Sequence, residues 1–235
     1  MGQAFANRLA SEGARLILTD IDATGLEQTA ATLSAQGTEC STHRVDLAVE
    51  NDIQKFGAQI CSQYPRLDVL INNAGIAYGE ITRGFHDLSQ EKWLRYLNVN
   101  AISPLILAQA LRPALAKGPG VILNVTSMAS YTPGTAYGVT KATLNAMTYG
   151  MASAFAADGI RVNAIAPGVM ETPASRTSLP PGTFERIQSQ QLLKLDGTAA
   201  DIAALAAFLA SDDARFIDCE IVNCDAGNRI RGWRG

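Results

Sequence analysis

Residues 121–166 read VILNVTSMASYTPGTAYGVTKATLNAMTYGMASAFAADGIRVNAIA. The two ends of this stretch, residues 121–126 and 160–166, are short runs rich in Val and Ile, as is typical of buried strands. The residues between them carry the pattern of a long helix. A strand, a crossover helix and a second strand form the repeating unit of a parallel α/β sheet.

The same alternation extends along the whole chain. Predicted strands are Arg15–Asp20, Cys40–Asp46, Leu67–Asn72, Val121–Thr126, Ile160–Ala166 and Glu220–Asp225. Predicted helices are Gln3–Ser11, Ala23–Gln36, Glu50–Gln63, Gln90–Ala116, Thr135–Ala157 and Ala199–Ala210, with Pro104 and Pro113 expected to kink or interrupt the fourth. The pattern predicts a doubly wound parallel sheet of the Rossmann type with helices on both faces. Because no linker or repeat divides the chain, we predict one domain over residues 1–235.

Composition excludes several classes of protein. The 235 residues carry a net charge of −3, with 47% hydrophobic and 17% charged residues, which is typical of a globular chain and disfavours nucleic-acid binding. No apolar run approaches the roughly 20 residues of a membrane span, and the N-terminal residues lack a secretory pattern. The four cysteines do not have the spacing of a zinc site. We therefore expect no metal, reduced thiols and a cytoplasmic location.

Two acidic residues end predicted strands, where ligands bind in open parallel sheets. Asp20 could accept hydrogen bonds from the ribose hydroxyls of an adenosine and would repel a 2′-phosphate, which favours NAD over NADP. The alternative role, a helix N-cap, suits Asp22 better. Asp46 could bind the adenine amino group or, equally well, cap the helix that begins near Glu50.

Small residues and turns follow two other strands. Asn72-Asn73-Ala74-Gly75 would let the backbone approach a flat ligand, and an Asn side chain there could join neighbouring strands. Pro167-Gly168 could face a nicotinamide carboxamide or could simply form a turn.

Tyr137 and Lys141 form the strongest chemical pattern, together with Ser127 just after a strand. Residues four apart lie on one face of a helix. An ammonium group beside the phenol should lower its pKa from about 10 towards the operating pH, while Ser127 holds the substrate oxygen. The alternative is a surface Tyr packed on a Lys side chain.

The segment Thr172–Leu195 is irregular and rich in proline, which is typical of a lid over a substrate. Its apolar residues could cover the pocket or pack the lid on the core; they are Leu179, Phe184, Ile187, Leu192 and Leu193.

Six motifs together resemble the classical short-chain dehydrogenase/reductase family over nearly the whole chain. They are NNAG (72–75), LNVN (97–100), NVTS (124–127), YGVTK (137–141), RVNAIAPG (161–168) and CDAG (224–227). The resemblance implies an NAD-dependent oxidoreductase that interconverts a secondary alcohol and a ketone. It implies that Tyr137 is the general acid/base, that Ser127 orients the substrate, that Lys141 binds the nicotinamide ribose and that Asn100 holds a water in a proton relay.

The resemblance also implies a set of cofactor-binding residues. They are Gly2, Asp20, Asp46, Leu47, Asn73, Ala74, Gly75, Tyr137, Lys141, Pro167, Gly168, Met170 and Thr172. The small residues of the helix over 142–157 match the family's subunit interfaces, so we expect a homodimer or homotetramer.

The sequence departs from the family pattern in three places. Ser127 and Tyr137 are closer together than usual, and Cys219 and Ala226 stand where the family usually has glycine. The family's first strand and most of its Gly-rich turn are absent before Met1-Gly2, so we expect the natural chain to begin upstream. Without that central strand, the strands at 15–20 and 67–72 should face an unpaired gap.

Two other functions remain open. The truncated cofactor site would suit a non-catalytic subunit or binding protein. A reductase for acyl-carrier substrates would need a basic patch at the pocket mouth, for which Arg176 and Arg186 are the nearby candidates.

Overall fold

The computed structural model describes residues 1–83 and 85–228, so residue 84 and residues 229–235 of the predicted domain lie outside the described part. The strands are β1 Leu16–Asp20, β2 Cys40–Arg44, β3 Val69–Asn72, β4 Val121–Val125, β5 Arg161–Pro167 and β6 Ile221–Cys224. The helices are α1 Gly2–Ser11, α2 Ala23–Ala35, α3 Glu50–Gln63, α4 Gln90–Leu97, α5 Ser103–Leu115, α6 Ala136–Phe155, α7 Pro173–Ser178, α8 Thr183–Ser189 and α9 Ala199–Ala210. The predicted α/β, Rossmann-like fold is confirmed.

The strands form two parallel sheets. β1 pairs with β2, and β3, β4, β5 and β6 pair in that order. Each pairing is parallel, with Leu16 opposite Cys40 and Val69 opposite Val121. Within the described residues, β1 pairs only with β2 and β3 pairs only with β4. Each of these two strands therefore has one edge without a strand partner, as the sequence predicts.

Helices cover both faces of the larger sheet. Along β4, Ile122 packs into a cluster with residues of α3, α5 and α6. Its neighbours Val121 and Leu123 point the other way, into a cluster with Phe5 of α1 and Ile202 of α9. This alternation follows from the two-residue period of a strand, and β4 is buried along its whole length because both faces are covered.

The prediction of a single helix over residues 90–116 is wrong, because the structure has two helices there, α4 and α5. A turn of π-helix over Asn98–Ile102 separates α4 from α5, so Pro104 lies in the first turn of α5, where it needs no amide hydrogen. Pro113 lies inside the last turn of α5 and does not end it.

Two residues adopt left-handed backbone conformations at the positions where the sequence departs from the family's glycines. Cys219 has φ of 61° and Ala226 has φ of 51°. β6 nevertheless pairs with β5 over four residues, with Pro167 opposite Cys224. The replacements therefore leave the last strand in place and confine the distortion to its two flanking turns.

Candidate active site

A cavity of about 1320 Å³ lies at the carboxyl ends of the strands, on the edge where the sequence predicts ligand binding. It is larger than the roughly 300–1,000 Å³ of an ordinary small-molecule pocket. The predicted residues that line it are Asp20, Asp46, Leu47, Asn73, Ala74, Gly75, Ser127, Tyr137, Lys141, Pro167, Gly168, Met170 and Thr172. Two predicted residues, Gly2 and Asn100, lie beside the cavity and do not line it.

Ser127 is held at the end of β4 by a tight turn. Its Oγ accepts a hydrogen bond from the amide of Ala129 (3.1 Å), and Ser130 Oγ donates to its carbonyl oxygen (2.7 Å). The accepted bond leaves the Ser127 hydroxyl hydrogen for another partner, and Ser127 lies close enough to Tyr137 to lower the pKa of the phenol. The short spacing between the two residues therefore still brings them together.

Gly138 explains how so short a loop can reach the helix. A Cβ at Gly138 would lie 2.8 Å from the carbonyl oxygen of Ala129 and 2.9 Å from Cα of Pro133. Only glycine lets the loop after Ser127 lie this close to the first turn of α6. Thr135 caps that turn by accepting a hydrogen bond from the Gly138 amide (3.1 Å).

The acidity of Tyr137 differs from the sequence-based expectation. Burial raises the pKa of Tyr137 to about 12, and the hydrogen bond with Ser127 offsets only part of this rise. The expected lowering of this pKa by Lys141 is wrong in this structure, because the loss of phenolate hydration on burial dominates and Ser127 is the group that offsets it.

Lys141 is itself buried. Its Nζ donates a hydrogen bond to the carbonyl oxygen of Val125 (2.7 Å), and burial lowers its pKa to about 8. An ammonium group has three hydrogens to donate. Val125 takes one, so two are left for a ligand such as a ribose diol.

Asn100 has a structural role in the segment after β3. Its Oδ1 accepts from the amide of Ile76 (2.7 Å), and its Nδ2 donates to the Ile76 carbonyl (2.8 Å) and to Thr140 Oγ1 (3.1 Å). Both amide hydrogens are thus used within the protein. A Cβ at Gly75 would lie 3.0 Å from Asn100 Oδ1, so the glycine of NNAG is needed for this contact. The proton-relay role of Asn100 remains a prediction.

Nucleotide-binding features line the other end of the cavity. Asp20 and Asp46 each form a local turn, accepting from the amides of Asp22 (3.1 Å) and Ala48 (2.9 Å) respectively. The helix-cap alternative for Asp46 is wrong, since Val49 is the N-cap of α3; Asp22 caps α2, as predicted. Both carboxylates have acceptor capacity left for hydroxyl or amino hydrogens, so this end of the cavity fits an adenosine.

The described residues near the N-terminus contribute little to a phosphate site. Met1 lines the cavity, whereas Gly2, the first residue of α1, lies against Asn73, whose Nδ2 would be 3.0 Å from a Cβ at Gly2. The amides of the first turn of α1 are the remaining donors for a phosphate group.

The segment expected to form a lid lies over the cavity as two short helices, α7 and α8. Leu179 and Ile187 line the cavity, as predicted. Phe184 is buried and does not line it, and Leu192 and Leu193 are exposed, so those three do not cover the pocket. Phe184 is instead buried within the lid, where the guanidinium of Arg176 lies 3.8 Å from the centre of its ring.

Some cavity residues were missed because they have no motif. Tyr78 and Arg95 reach the cavity from the segment after β3 and from α4. Gln190 could have been found, since it shares a helical face with Ile187 and with Arg186, which the sequence already places near the pocket mouth.

No helix within residues 1–83 and 85–228 has the length and apolar character needed to cross a membrane. The same residues contain no cluster of three His, Cys, Asp or Glu side chains suited to a metal ion.

The comparisons with known proteins identify the family. A family model described as enoyl-(acyl carrier protein) reductase matches residues 1–229. The chain belongs to the classical short-chain dehydrogenase/reductase family. Its members are oxidoreductases that bind a nicotinamide cofactor, so the chain is an oxidoreductase of this type.

Two characterised relatives cover almost the entire chain. A 2-(R)-hydroxypropyl-CoM dehydrogenase of Xanthobacter autotrophicus is 34% identical over 223 residues, which are 92% of this chain and 89% of that protein. A cis-4-hydroxycyclohexanecarboxylate dehydrogenase of Sinomonas cyclohexanicum is 32% identical over 231 residues, with 97% and 91% covered.

Solved structures show the same fold. A 7α-hydroxysteroid dehydrogenase complexed with NADH and 7-oxo glycochenodeoxycholic acid aligns with a TM-score of 0.89 and 27% identity, over 96% of this chain and 89% of that one. A short-chain dehydrogenase from Burkholderia cenocepacia in complex with NADP aligns with a TM-score of 0.85 and 28% identity, over 95% and 91%.

Proposed function

We propose that this protein is an NAD-dependent dehydrogenase that interconverts a secondary alcohol and a ketone, with Tyr137 as general acid/base. The observation that carries the proposal is the meeting of Ser127, Tyr137 and Lys141 in one cavity at the carboxyl ends of the strands. The relatives support the substrate class, since their names give hydroxy or oxo compounds as substrates or ligands.

The proposed residue roles follow from the hydrogen-bonding capacity of each group. NAD, when bound, would accept the hydride from the alcohol carbon. With its raised pKa, Tyr137 is protonated at neutral pH and can donate its proton to a ketone oxygen. Ser127 would hold that oxygen beside the phenol. In the oxidation direction, the Ser127 hydrogen bond and the charge of Lys141 would both stabilise the phenolate.

The preference for NAD rests on Asp20. Its carboxylate lies at the end of β1 and lines the cavity, where it would bind ribose hydroxyls and repel a 2′-phosphate. Asp46 and Leu47 would lie beside the adenine, and Pro167, Gly168, Met170 and Thr172 beside the carboxamide. Residues 172–195 would act as the lid.

The test is turnover by the purified protein on a panel of secondary alcohols and ketones with NAD or NADP, followed by the absorbance of the reduced nucleotide. Tyr137→Phe should lower kcat by about 100-fold or more, a much larger effect than any change in NADH binding measured by calorimetry. Tyr149→Phe is the matched control, because Tyr149 lies on the same helix but is exposed and outside the cavity. Asp20→Ser should lower the ratio of activity with NAD to that with NADP, whereas Asp22→Ser should not.

The outcomes separate the open functions. NADH binding without turnover on any substrate would favour the non-catalytic alternative. Of the two arginines that a reductase for acyl-carrier substrates would use, Arg176 is ion-paired with Glu171 and Glu185 and does not line the cavity. That alternative therefore rests on Arg186 alone. The homodimer or homotetramer and the cytoplasmic location remain predictions from the sequence.

A further inference from the structure

One face of α8 presents polar side chains to the cavity. Thr183, Arg186, Ile187 and Gln190 all line it, and their spacing places them on a single helical face. Phe184 lies on the opposite face and is buried. Thr183, Arg186 and Gln190 have no side-chain hydrogen bond to another described residue, so three donor groups in a row face the cavity without a partner.

The charge of Arg186 is not neutralised by the described protein. The neighbouring lid arginine, Arg176, binds Glu171 Oε2 (2.5 Å) and Glu185 Oε1 (2.9 Å) and stacks on the Phe184 ring at 3.8 Å. Arg186 forms no such pair with any residue in 1–83 or 85–228. Glu185, the one acidic residue of the lid, and the adjacent Glu171 are therefore both paired with the arginine that does not line the cavity.

The carboxylates that line the cavity lie at its other end. Asp20 is the last residue of β1, and Asp46 follows β2 of the same two-stranded sheet. The lid instead follows β5, which is two strands from the near edge of the larger sheet, or about 10 Å at the usual strand spacing. The lid end of the cavity is thus positive, whereas the adenosine end is negative.

We propose that Arg186, assisted by Thr183 and Gln190, binds an anionic oxygen group, a carboxylate on the substrate, and so makes the protein selective for hydroxy and oxo acids. A guanidinium binds carboxylate oxygens through two parallel hydrogen bonds, which gives both affinity and orientation. The proposal rests on the proposed function, since it assigns the substrate class of that same cavity.

The test compares acids with their neutral amides. The probes are 4-hydroxycyclohexanecarboxylate and 3-hydroxybutyrate, each beside its carboxamide, with unsubstituted secondary alcohols as a third set. The wild-type protein should prefer the acid, and Arg186→Gln should lower kcat/KM for the acid about 10- to 100-fold without changing kcat/KM for the amide. Arg186→Lys should retain part of the preference.

The matched control is Arg176→Gln, on the same lid but outside the cavity, which should leave the acid-to-amide ratio unchanged. Equal activity on acid and amide in the wild-type protein would overturn the proposal, as would an equal loss on both in Arg186→Gln. A rise confined to the KM for NAD would instead assign Arg186 to a cofactor phosphate, which also overturns it.

Absence of turnover on every probe would count against the proposed function alone. In that case, calorimetric titration with 4-oxocyclohexanecarboxylate in the presence of NADH still tests Arg186. Binding that is lost in Arg186→Gln supports the proposal, and absent or unaffected binding overturns it.

Discussion

Cys219 and Ala226 occupy backbone conformations that favour glycine. A left-handed conformation costs a residue with a Cβ about 1–2 kcal/mol, and their φ angles are 61° and 51°. Part of that cost is offset because a residue with a Cβ has less conformational entropy than glycine in the unfolded chain. Cys219→Gly and Ala226→Gly should each raise the free energy of unfolding by about 0.5–1 kcal/mol, as measured by denaturant titration.

Cys219→Ala is the control for this effect. The side chain of Cys219 is exposed, so its removal alone should cost little. Because alanine keeps the Cβ, the variant should gain no stability. An equal gain in the alanine and glycine variants would show that backbone strain is not the cause.

Lys141 should make the stability of the protein depend on pH. Burial lowers its pKa from 10.5 to about 8, so between these values the unfolded chain holds a proton that the folded chain has released. Stability rises with pH wherever the unfolded state binds more protons. Relative to Lys141→Met, the wild-type protein should therefore gain about 1–3 kcal/mol between pH 7.5 and pH 10.

Denaturant unfolding of both proteins at the two pH values measures this difference. Tyr137 and the other titrating groups are common to both chains, so their contributions largely cancel. A difference that stays constant with pH would mean that Lys141 is not desolvated as the structure indicates.

At the scale of elements, two glycines test how closely the helices pack. Gly57 of α3 faces Ala110 of α5, and a Cβ at Gly57 would lie 2.5 Å from the Ala110 Cβ. A Cβ at Gly150 of α6 would meet nothing within 4 Å. Gly57→Ala should therefore destabilise the protein by about 1–3 kcal/mol through overpacking.

Gly150→Ala is the matched substitution and should stabilise by up to about 1 kcal/mol, because alanine is the better helix former. Thermal unfolding of the two variants beside the wild-type protein provides the measurement. A stabilising effect of Gly57→Ala would contradict the close contact between α3 and α5.

The elements themselves were largely predictable from the sequence. Each described strand begins and ends within two residues of a predicted strand, and α3 and α9 have the predicted bounds. The π turn at Asn98–Ile102 was not predictable, because the side chain of Asn100 within it donates hydrogen bonds to Ile76 and Thr140, which are distant in sequence. Local patterns record which face of a helix is apolar but not which contacts bend it.

The site was predictable where a motif marks it. The motifs correctly predicted that Ser127, Tyr137 and Lys141 share one cavity. They contain no information on burial, and so the predicted direction of the Tyr137 pKa shift was wrong. Tyr78 and Arg95 reach the cavity only through the folding of segments without a motif.

At the scale of the whole molecule, the adenosine end and the catalytic end of the cavity are built on strands of different burial. β4 is buried along its whole length and β5 along all but its first residue, whereas β1 and β2 are mostly half-buried or exposed. Elements with few buried contacts open more readily than the core. The amides of β1 and β2 should exchange with deuterium faster than those of β4 and β5, as measured by mass spectrometry.

Because the two ends differ in burial, a bound dinucleotide would stabilise them unequally. A ligand that spans from Asp20 to Lys141 would bridge the two sheets and couple their opening, so that neither end could open without breaking its contacts. NADH should then slow deuterium exchange in β1 and β2 more than in β4. Cofactor binding would hold the two ends together. The free energy needed to order them would lower the apparent affinity for the nucleotide.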